Sequence, residues 1–270
     1  MVKLSVVIIA KNEEERIRGC IGSIKDWADQ IIVVDDHSTD NTVKIAEELG
    51  AEVFVKKMEV EGAHRNWAYR KSRNQWVLSL DADEILTPQL KEEIAEVLSG
   101  QDIYDAFTIP RKNFIGDYWI RWAGLYPAPQ LKLFKKDKFR WEEVEVHPRA
   151  FLEGKCGHLK NPLLHYTYRN FEDFFRKLNK QTTLEAIKWY KLSFVDPRKA
   201  RYKMNFLHAL WRCLDRFIRS FIVKKGYRDG FVGFMVSFSS SLYQIISYAK
   251  YWELKRSSLN LTKQSDFNVK

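Results

Sequence analysis

The first 100 residues alternate short apolar runs with segments whose apolar residues recur at helical spacing. The run Leu4–Ala10 is almost entirely β-branched, which is typical of a strand covered on both faces. Similar runs predict strands at 30–34, 52–55 and 76–80. Helices are predicted between them, and Thr87-Pro88 supplies the cap and first-turn proline of one more. This alternation predicts a parallel, doubly wound α/β sheet.

Polar residues follow three of these strands directly. They are Ala10-Lys11-Asn12, Asp35-Asp36 and Asp81-Ala82-Asp83. Because ligands bind beyond the carboxyl ends of parallel strands, we expect the three turns to form one site. Asp81 and Asp83 project to the same side of an extended chain, where they suit Mg²⁺ or Mn²⁺ with substrate phosphates as further ligands. The alternative is that these carboxylates only stabilise the turn after the strand by hydrogen bonds to its backbone.

The sequence argues against two common kinds of nucleotide site, a disulfide framework and a zinc site. The turn after the first strand lacks the glycine fingerprint of dinucleotide-binding folds, and the sequence has no phosphate-binding Gly-Lys-Ser/Thr loop. Cys20, Cys156 and Cys213 lie far apart, which argues against a disulfide framework and a zinc site. Three unpaired cysteines suit a reducing cytosol.

Charge is distributed unevenly along the 270 residues. Residues 1–100 hold 13 Lys and Arg against 19 Asp and Glu, whereas residues 101–270 hold 32 against 16, so the net charges are −6 and +16. The basic second part favours an anionic partner, such as phosphate groups, nucleic acid or an anionic membrane face.

Four segments in order carry a resemblance: SVVIIAKNEE at 5–14, VDDHSTDNT at 34–42, GAHRN at 62–66 and LDADE at 80–84. Together they resemble the family 2 inverting glycosyltransferases. Three later segments, QLKLF at 130–134, VH at 146–147 and LHY at 164–166, are similar to the bacterial lipopolysaccharide core β-1,4-glucosyltransferase type. The resemblance implies a GT-A fold, which is a Rossmann-like, mostly parallel twisted sheet flanked by helices, here with a helical C-terminal extension.

The resemblance also implies roles for matching residues. Asp36 would accept from the uracil or lie beside the ribose, and Arg65 would approach the diphosphate. Asp83 would bind the metal ion directly, and Asp81 would bind the metal ion or the ribose. The other nucleotide-sugar-binding residues that the motifs imply are Ala10, Asn12, Glu14 and Ala82. Judged without the resemblance, Asp36 suits a turn, Arg65 a helix surface and Asn12 a helix cap.

Inversion needs one general base opposite the leaving group. We expect Glu145 to be this base, with Glu143 as the second candidate. On a strand, these two glutamates and His147 would share one face. Related sequences carry a glutamate directly after the Val-His pair, where this chain has Pro148. His165 is a candidate third metal ligand, and the alternative is a hydrogen-bonded structural histidine.

The expected domains are a GT-A catalytic domain at 1–168 and a helical region at 169–256, followed by a polar tail at 257–270. Within the catalytic domain, 1–100 would bind the nucleotide sugar and 101–168 the acceptor.

The helical region contains an uncharged run of 19 residues at 231–249. Its apolar residues repeat at a spacing of three to four, which favours an amphipathic helix over a membrane span. We expect its apolar stripes and basic residues to contact an anionic membrane surface. The alternative is that these helices pack against the catalytic domain.

The sequence therefore predicts a hexosyltransferase that depends on Mg²⁺ or Mn²⁺. It would move a sugar, expected to be glucose, from a UDP-sugar to a lipid-linked bacterial glycan such as the lipopolysaccharide core. It would act in the cytoplasm, peripherally on the inner face of the bacterial membrane, without a nucleic-acid partner. Transfer to a polyprenyl phosphate is the alternative among enzymes. A non-catalytic GT-A-like scaffold and a basic nucleic-acid-binding module are alternatives from other classes.

Overall fold

The computed structural model describes residues 2–100, 103–144 and 149–267. The chain divides into two compact units. The first comprises Met1–Phe114 and Tyr126–Thr167, and the second comprises Ile115–Leu125 and Tyr168–Lys270. The short segment Ile115–Leu125, which lies within the predicted acceptor part, thus clusters with the C-terminal helices.

The first part of the chain builds a parallel sheet, as predicted. Its elements are β1 (Val2–Ala10), α1 (Glu14–Gly22), β2 (Ala28–Asp35), α2 (Thr42–Glu48), β3 (Glu52–Val55), α3 (Glu61–Tyr69), β4 (Trp76–Asp81), β5 (Glu84–Ile85) and α4 (Pro88–Ser99). β1 pairs in parallel with β2 and with β4, and β2 pairs in parallel with β3. The α/β class is therefore confirmed.

The later strands make the sheet mixed. They are β6 (Ala106–Ile109), β7 (Arg111–Ile115), β8 (Tyr118–Ile120), β9 (Gln130–Lys135), β10 (Phe139–Trp141), β11 (Ala150–Leu152), β12 (Cys156–His158) and β13 (Leu163–Tyr168). The large sheet has the order β12-β6-β9-β4-β1-β2-β3, and β9 runs antiparallel to both of its neighbours. β13 runs antiparallel to β5 and pairs His165 with Glu84.

Both faces of β1 are covered, as its β-branched composition predicts. Leu4, Val6 and Ile8 are fully buried in one cluster with residues of α1 and α4. On the opposite face, Val7 is buried with Tyr69 of α3. Helices on both faces leave the carboxyl edge of the parallel strands for the site.

α3 approaches the segment after β10 closely at Gly62. A Cβ at this position would lie 2.0 Å from the carbonyl oxygen of Glu142. Gly62→Ala is therefore expected to destabilise the protein by about 1–3 kcal/mol, the usual range for overpacking. Chemical unfolding measures the loss. Gly22→Ala is the matched control because nothing lies within 4 Å of a Cβ there, and an equal loss in both variants would contradict the prediction.

The second unit contains the predicted helical C-terminal region. Its helices are α5 (Phe171–Val195), α6 (Pro197–Lys203), α7 (Phe206–Phe217) and α8 (Gly230–Phe267). A π-helical turn, Ile218–Val223, and a 3₁₀ turn, Gly226–Asp229, connect α7 to α8. α8 continues to Phe267, past the predicted start of the polar tail at Ser257.

α8 buries small polar residues and exposes large aromatic ones. Four of its serines are at most 2% exposed, namely Ser237, Ser239, Ser241 and Ser247. Three phenylalanines are between 39% and 69% exposed, namely Phe231, Phe234 and Phe238. The stretch Gly226–Ser257 is long and apolar enough to cross a membrane by length and composition, as are many core helices of soluble proteins. One third of its apolar window, 33%, is buried.

Candidate active site

The turns after β1, β2 and β4 lie at one edge of the sheet, as predicted. Ala10 at the end of β1 pairs with Asp35 at the end of β2, and β4 lies on the other side of β1. The N–H of Asp36 donates to the carbonyl oxygen of Ala10 at 2.9 Å. Ala10 and Ala82 are 2% and 4% exposed, so they offer this edge backbone groups and not side chains.

Asp36 is buried with both carboxylate oxygens engaged. Lys11 Nζ lies 2.7 Å from Oδ2, and the N–H of Met58 donates to Oδ1 at 2.8 Å. Burial raises the pKa of Asp36, but Lys11 and the N–H of Met58 lower it more, so the pKa lies below its ordinary value. The Lys11 side chain is 56% exposed and reaches this carboxylate from the solvent side.

Asn12 and Glu14 connect the turn after β1 to the turn after β2. Asn12 has a left-handed backbone conformation, with φ of 54°, and its Oδ1 accepts from the N–H of Thr39 at 2.8 Å. Glu14 Oε2 accepts from the backbone and side-chain amides of Asn41 at 3.0 and 2.9 Å. The helix-cap alternative for Asn12 is wrong, because Glu13 occupies the cap position of α1.

Asp81 lies between two cations. Arg65 Nη2 is 2.8 Å from Oδ1, and Lys132 Nζ is 2.9 Å from Oδ2. Arg65 Nε is also 2.9 Å from Glu61, and the arginine side chain is only 15% exposed, so the surface-residue alternative for Arg65 is wrong. Lys132 also contacts the fully buried Glu84 at 2.7 Å.

Burial makes the charges of this cluster interact strongly. Burial raises the pKa of Asp81, but Lys132 and Arg65 lower it more, so the pKa lies well below its ordinary range. Burial and the charge of Asp81 together outweigh Lys132 at Glu84 and raise the pKa of that carboxyl. Burial lowers the pKa of Lys132, but the two carboxyl groups raise it more, so the amine stays charged.

Asp83 has different partners from Asp81. Arg16 Nη1 lies 3.2 Å from Oδ2, and His165 Nε2 lies 3.5 Å from Oδ1. The other ring nitrogen of His165, Nδ1, is 2.7 Å from Asn113 Oδ1, which orients the imidazole. The pairing of β5 with β13 brings His165 beside the acidic turn, so two residues 82 positions apart in sequence become neighbours.

Asp83 and His165 suit a divalent cation. Their oxygen and nitrogen donors are 3.5 Å apart, a span that two bonds of about 2.1 Å can share. In the ranges that the structure describes, no three His, Cys, Asp or Glu side chains group as a metal site, so the other ligands would be phosphate oxygens and water. Both oxygens of Asp81 already contact cations, and its role as a metal ligand stays a prediction.

Glu143 follows β10 in an irregular segment and not on a strand. Its Oε1 accepts from Asn66 Nδ2 at 3.0 Å. Glu143 also lines a cavity of about 560 Å³, together with Asn66, Tyr69, Arg70, Lys136 and Arg140. Glu145, His147 and Pro148 lie outside the described residues.

The charged residues of this edge that have no predicted role include Lys11, Lys132 and Glu84. Lys132 is the single charge inside the apolar strand QLKLF, and a lysine at such a position signals a buried ionic partner. Glu84 is the third acid of the turn after β4, and it is fully buried beside Lys132 of β9 and His165 of β13, which are distant in sequence. For Lys11, only its position directly after β1 could have indicated a place in the site.

The mixed α/β sheet carries an Asp-x-Asp turn beside paired cations at its carboxyl edge, as the resemblance to glycosyltransferases of the GT-A class implies. Residues 5–152 match the family model "Glycosyl transferase family 2". The chain belongs to this family and is a glycosyltransferase.

The alignments with known relatives cover nearly the whole chain. An uncharacterised glycosyltransferase of Rickettsia conorii is 43% identical over 268 residues, which cover 95% of this chain and 91% of that protein. The lipopolysaccharide core biosynthesis glycosyltransferase LpsC of Rhizobium meliloti is 25% identical, with coverage of 93% and 92%. Among solved structures, S. aureus TarS aligns over 94% of this chain and 91% of its own, with 14% identity and a TM-score of 0.46.

Proposed function

We propose that this protein transfers glucose, with inversion and with a divalent metal ion, from a UDP-sugar to a lipid-linked bacterial glycan. The observation that supports this most strongly is the separate engagement of three aspartates at one sheet edge. Asp81 is held by two cations, Asp83 lies beside a histidine, and Asp36 is held by an exposed lysine.

Positive charge at this edge suits a nucleoside diphosphate leaving group. As the glycosidic bond breaks, the diphosphate gains negative charge, and fixed cations stabilise it. Arg65 and Lys132 are the two protein cations for this role. A divalent ion bound by Asp83 and His165 would supply a Lewis acid at the same place. When the donor binds, the uracil or the ribose would replace Lys11 as the hydrogen-bond partner of the Asp36 carboxylate.

The acceptor hydroxyl needs a base on the face opposite the leaving group. Glu145 is proposed for this role, with Glu143 as the second candidate. The cavity beside Glu143 carries three cations, Arg70, Lys136 and Arg140, and one further carboxylate, Asp137, so the positive charge in excess suits a phosphorylated glycan. Because LpsC is named for lipopolysaccharide core biosynthesis, a lipopolysaccharide core is the proposed acceptor. A polyprenyl phosphate is the alternative, since it is also anionic and lipid-borne.

The proposed location is the inner face of the bacterial cytoplasmic membrane. The second unit supports it because its helices bury small residues and expose large apolar ones. A Cβ at Gly233 would lie 2.0 Å from the carbonyl oxygen of Gly226, so the turn before α8 and the start of α8 touch closely. Large apolar residues on the outside of a helix are typical of helices that lie on a membrane surface. The proposal is a peripheral attachment and not a span.

A donor panel tests the transferase assignment. UDP release is measured for UDP-glucose, UDP-galactose and UDP-N-acetylglucosamine with lipopolysaccharide-core acceptor, with Mn²⁺ and after chelation. We expect release from UDP-glucose only, dependent on both acceptor and metal. Turnover that survives chelation would contradict the metal requirement. Release of UDP from UDP-galactose or UDP-N-acetylglucosamine, and none from UDP-glucose, would contradict the proposed donor sugar.

A further inference from the structure

A basic cavity is built entirely from residues of the second unit. Its volume is about 420 Å³, and it lies between α7, the π-helical turn and the segment 123–125. The residues that define it include Gly124, Arg212, Arg216, Arg219, Ser220 and Lys224. None of these residues has a role in the proposed transfer reaction.

The cavity has an excess of positive charge. Among the described residues that line it, Asp215 is the only carboxylate, against four cations, so the formal charge is +3. Asp215 contacts Arg219 at 2.7 Å and Arg212 at 3.8 Å. Arg216 lies over the ring of Tyr243 at 5.6 Å, and in the described part of the chain neither Arg216 nor Lys224 pairs with a carboxylate. Two cations beside hydroxyl groups in one cavity suit an anionic oxygen ligand such as a phosphate group.

An exposed apolar stripe runs along α7 and the π-helical turn that follows it. Its residues are 49–74% exposed and recur every three or four positions: Leu207, Trp211, Leu214, Ile218 and Ile222. Arg212, Arg216 and Arg219 recur at a similar spacing on another side of the helix, and Arg216 points away from the stripe because it lies two positions from both Leu214 and Ile218. A helix with this arrangement lies in the plane of a bilayer surface, with its apolar side among acyl chains and its basic side at the level of the phosphates.

We propose that the cavity binds the phosphate of an anionic lipid headgroup while the apolar stripe contacts the acyl chains. Charge complementarity selects the lipid. A nucleic acid would satisfy the arginines but leave five large apolar side chains in water. The inference rests on the membrane location proposed above and is independent of the transfer chemistry.

Cosedimentation of the full chain with vesicles tests the cavity. The test variant is Arg216→Gln with Lys224→Gln. The control is Arg198→Gln with Lys199→Gln, which removes the same charge from exposed positions on α6. With vesicles of phosphatidylcholine and phosphatidylglycerol, the test variant is expected to partition about thirtyfold less than wild type, since each basic residue at an anionic surface contributes about a factor of five. The control is expected to lose less than about threefold. Equal losses in both variants would overturn the assignment of the cavity as a headgroup site, because general electrostatic attraction to the membrane would then explain the binding.

Further measurements distinguish other ligands and partners. Wild type that binds phosphatidylcholine vesicles as tightly as anionic ones overturns the headgroup assignment. If inorganic phosphate raises the melting temperature of wild type but not of the test variant, while vesicles bind both alike, the ligand is a soluble phosphate and the proposal fails. A wild-type dimer that Leu214→Ser dissociates in light scattering assigns the stripe to a second copy and also overturns it. Circular dichroism verifies that each variant is folded. UDP release from the donor is measured in parallel, so that failure of the transferase assignment is recognised separately.

Discussion

Asp83→Ala is expected to lower the rate of UDP release at least about a hundredfold, because a divalent ion supplies several kcal/mol of charge stabilisation to a phosphate leaving group. Asp83 is the acid whose oxygens face Arg16 at 3.2 Å and His165 at 3.5 Å. In the variant, the ion loses the carboxylate of Asp83, and only His165 and the predicted ligand Asp81 remain to bind it. The loss should therefore appear both in the maximal rate and in the Mn²⁺ concentration that half-saturates it.

The measurement is the initial rate of UDP release as a function of Mn²⁺ concentration. Asp26→Ala, which removes an exposed carboxylate from the same unit, is the control and is expected to stay within about twofold of wild type. Thermal unfolding of both variants separates loss of the ion from loss of the fold. If Asp83→Ala keeps the wild-type rate and Mn²⁺ dependence, the metal assignment is wrong, whichever donor is used.

Lys132→Met is expected to destabilise the protein by about 3–5 kcal/mol, the range for breaking a buried ion pair by removing one partner. The lysine side chain is 5% exposed and lies 2.9 Å from Asp81 and 2.7 Å from Glu84. Methionine fills the space but leaves the fully buried Glu84 without its closest cation. Asp81 keeps its ion pair with Arg65, so this carboxylate is expected to contribute less to the loss of stability.

Chemical unfolding measures this loss, and Lys138→Met, at an exposed position just beyond the same strand, is the control. A second variant, Lys132→Met with Glu84→Gln, should recover about half of the loss because it removes the buried charge itself. Full stability in the single variant, or no recovery in the double variant, would contradict this account of the cluster.

The pH dependence of the same variant has a definite sign. Without Lys132, the pKa of Glu84 in the folded protein rises further above its ordinary value of 4.5. The folded protein then binds a proton more tightly than the unfolded chain does. Stability of Lys132→Met relative to wild type should therefore rise as the pH falls through that raised pKa toward 4.5. In wild type, the lowered pKa of Asp81 gives the opposite trend, a stabilisation that is present at neutral pH and lost in acid.

Local sequence patterns predict the strands and helices of the first 100 residues, but not the direction of β9. The apolar run of that strand looks the same whether its neighbours run parallel or antiparallel. The predicted edge residues Asp36, Asp81 and Asp83 follow from the rule for parallel strands, since each lies at the end of a strand or just beyond it. Lys132 and His165 reach the edge through β9 and β13, and their pairing depends on contacts distant in sequence.

The C-terminal helices illustrate a second kind of ambiguity. Helical periodicity predicts an apolar stripe in α8, but it does not say which side of the helix faces the protein. The burial of Ser237 and Ser241 and the exposure of Phe234 and Phe238 settle the orientation of this helix within its own unit. Ser220 and Ser237 form a hydrogen bond of 3.0 Å. The two serines lie on different elements, so the pattern of one helix cannot predict this contact.

The double restraint on Arg65 has a kinetic consequence. Glu61 holds one nitrogen of its guanidinium and Asp81 another, so the side chain is immobilised during folding. Freezing a flexible arginine otherwise costs about 2 kcal/mol when a ligand arrives. In the proposed reaction, this entropy is lost before the donor binds, so the guanidinium would need little reorientation as charge develops on the departing group, and the barrier would carry correspondingly less reorganisation energy.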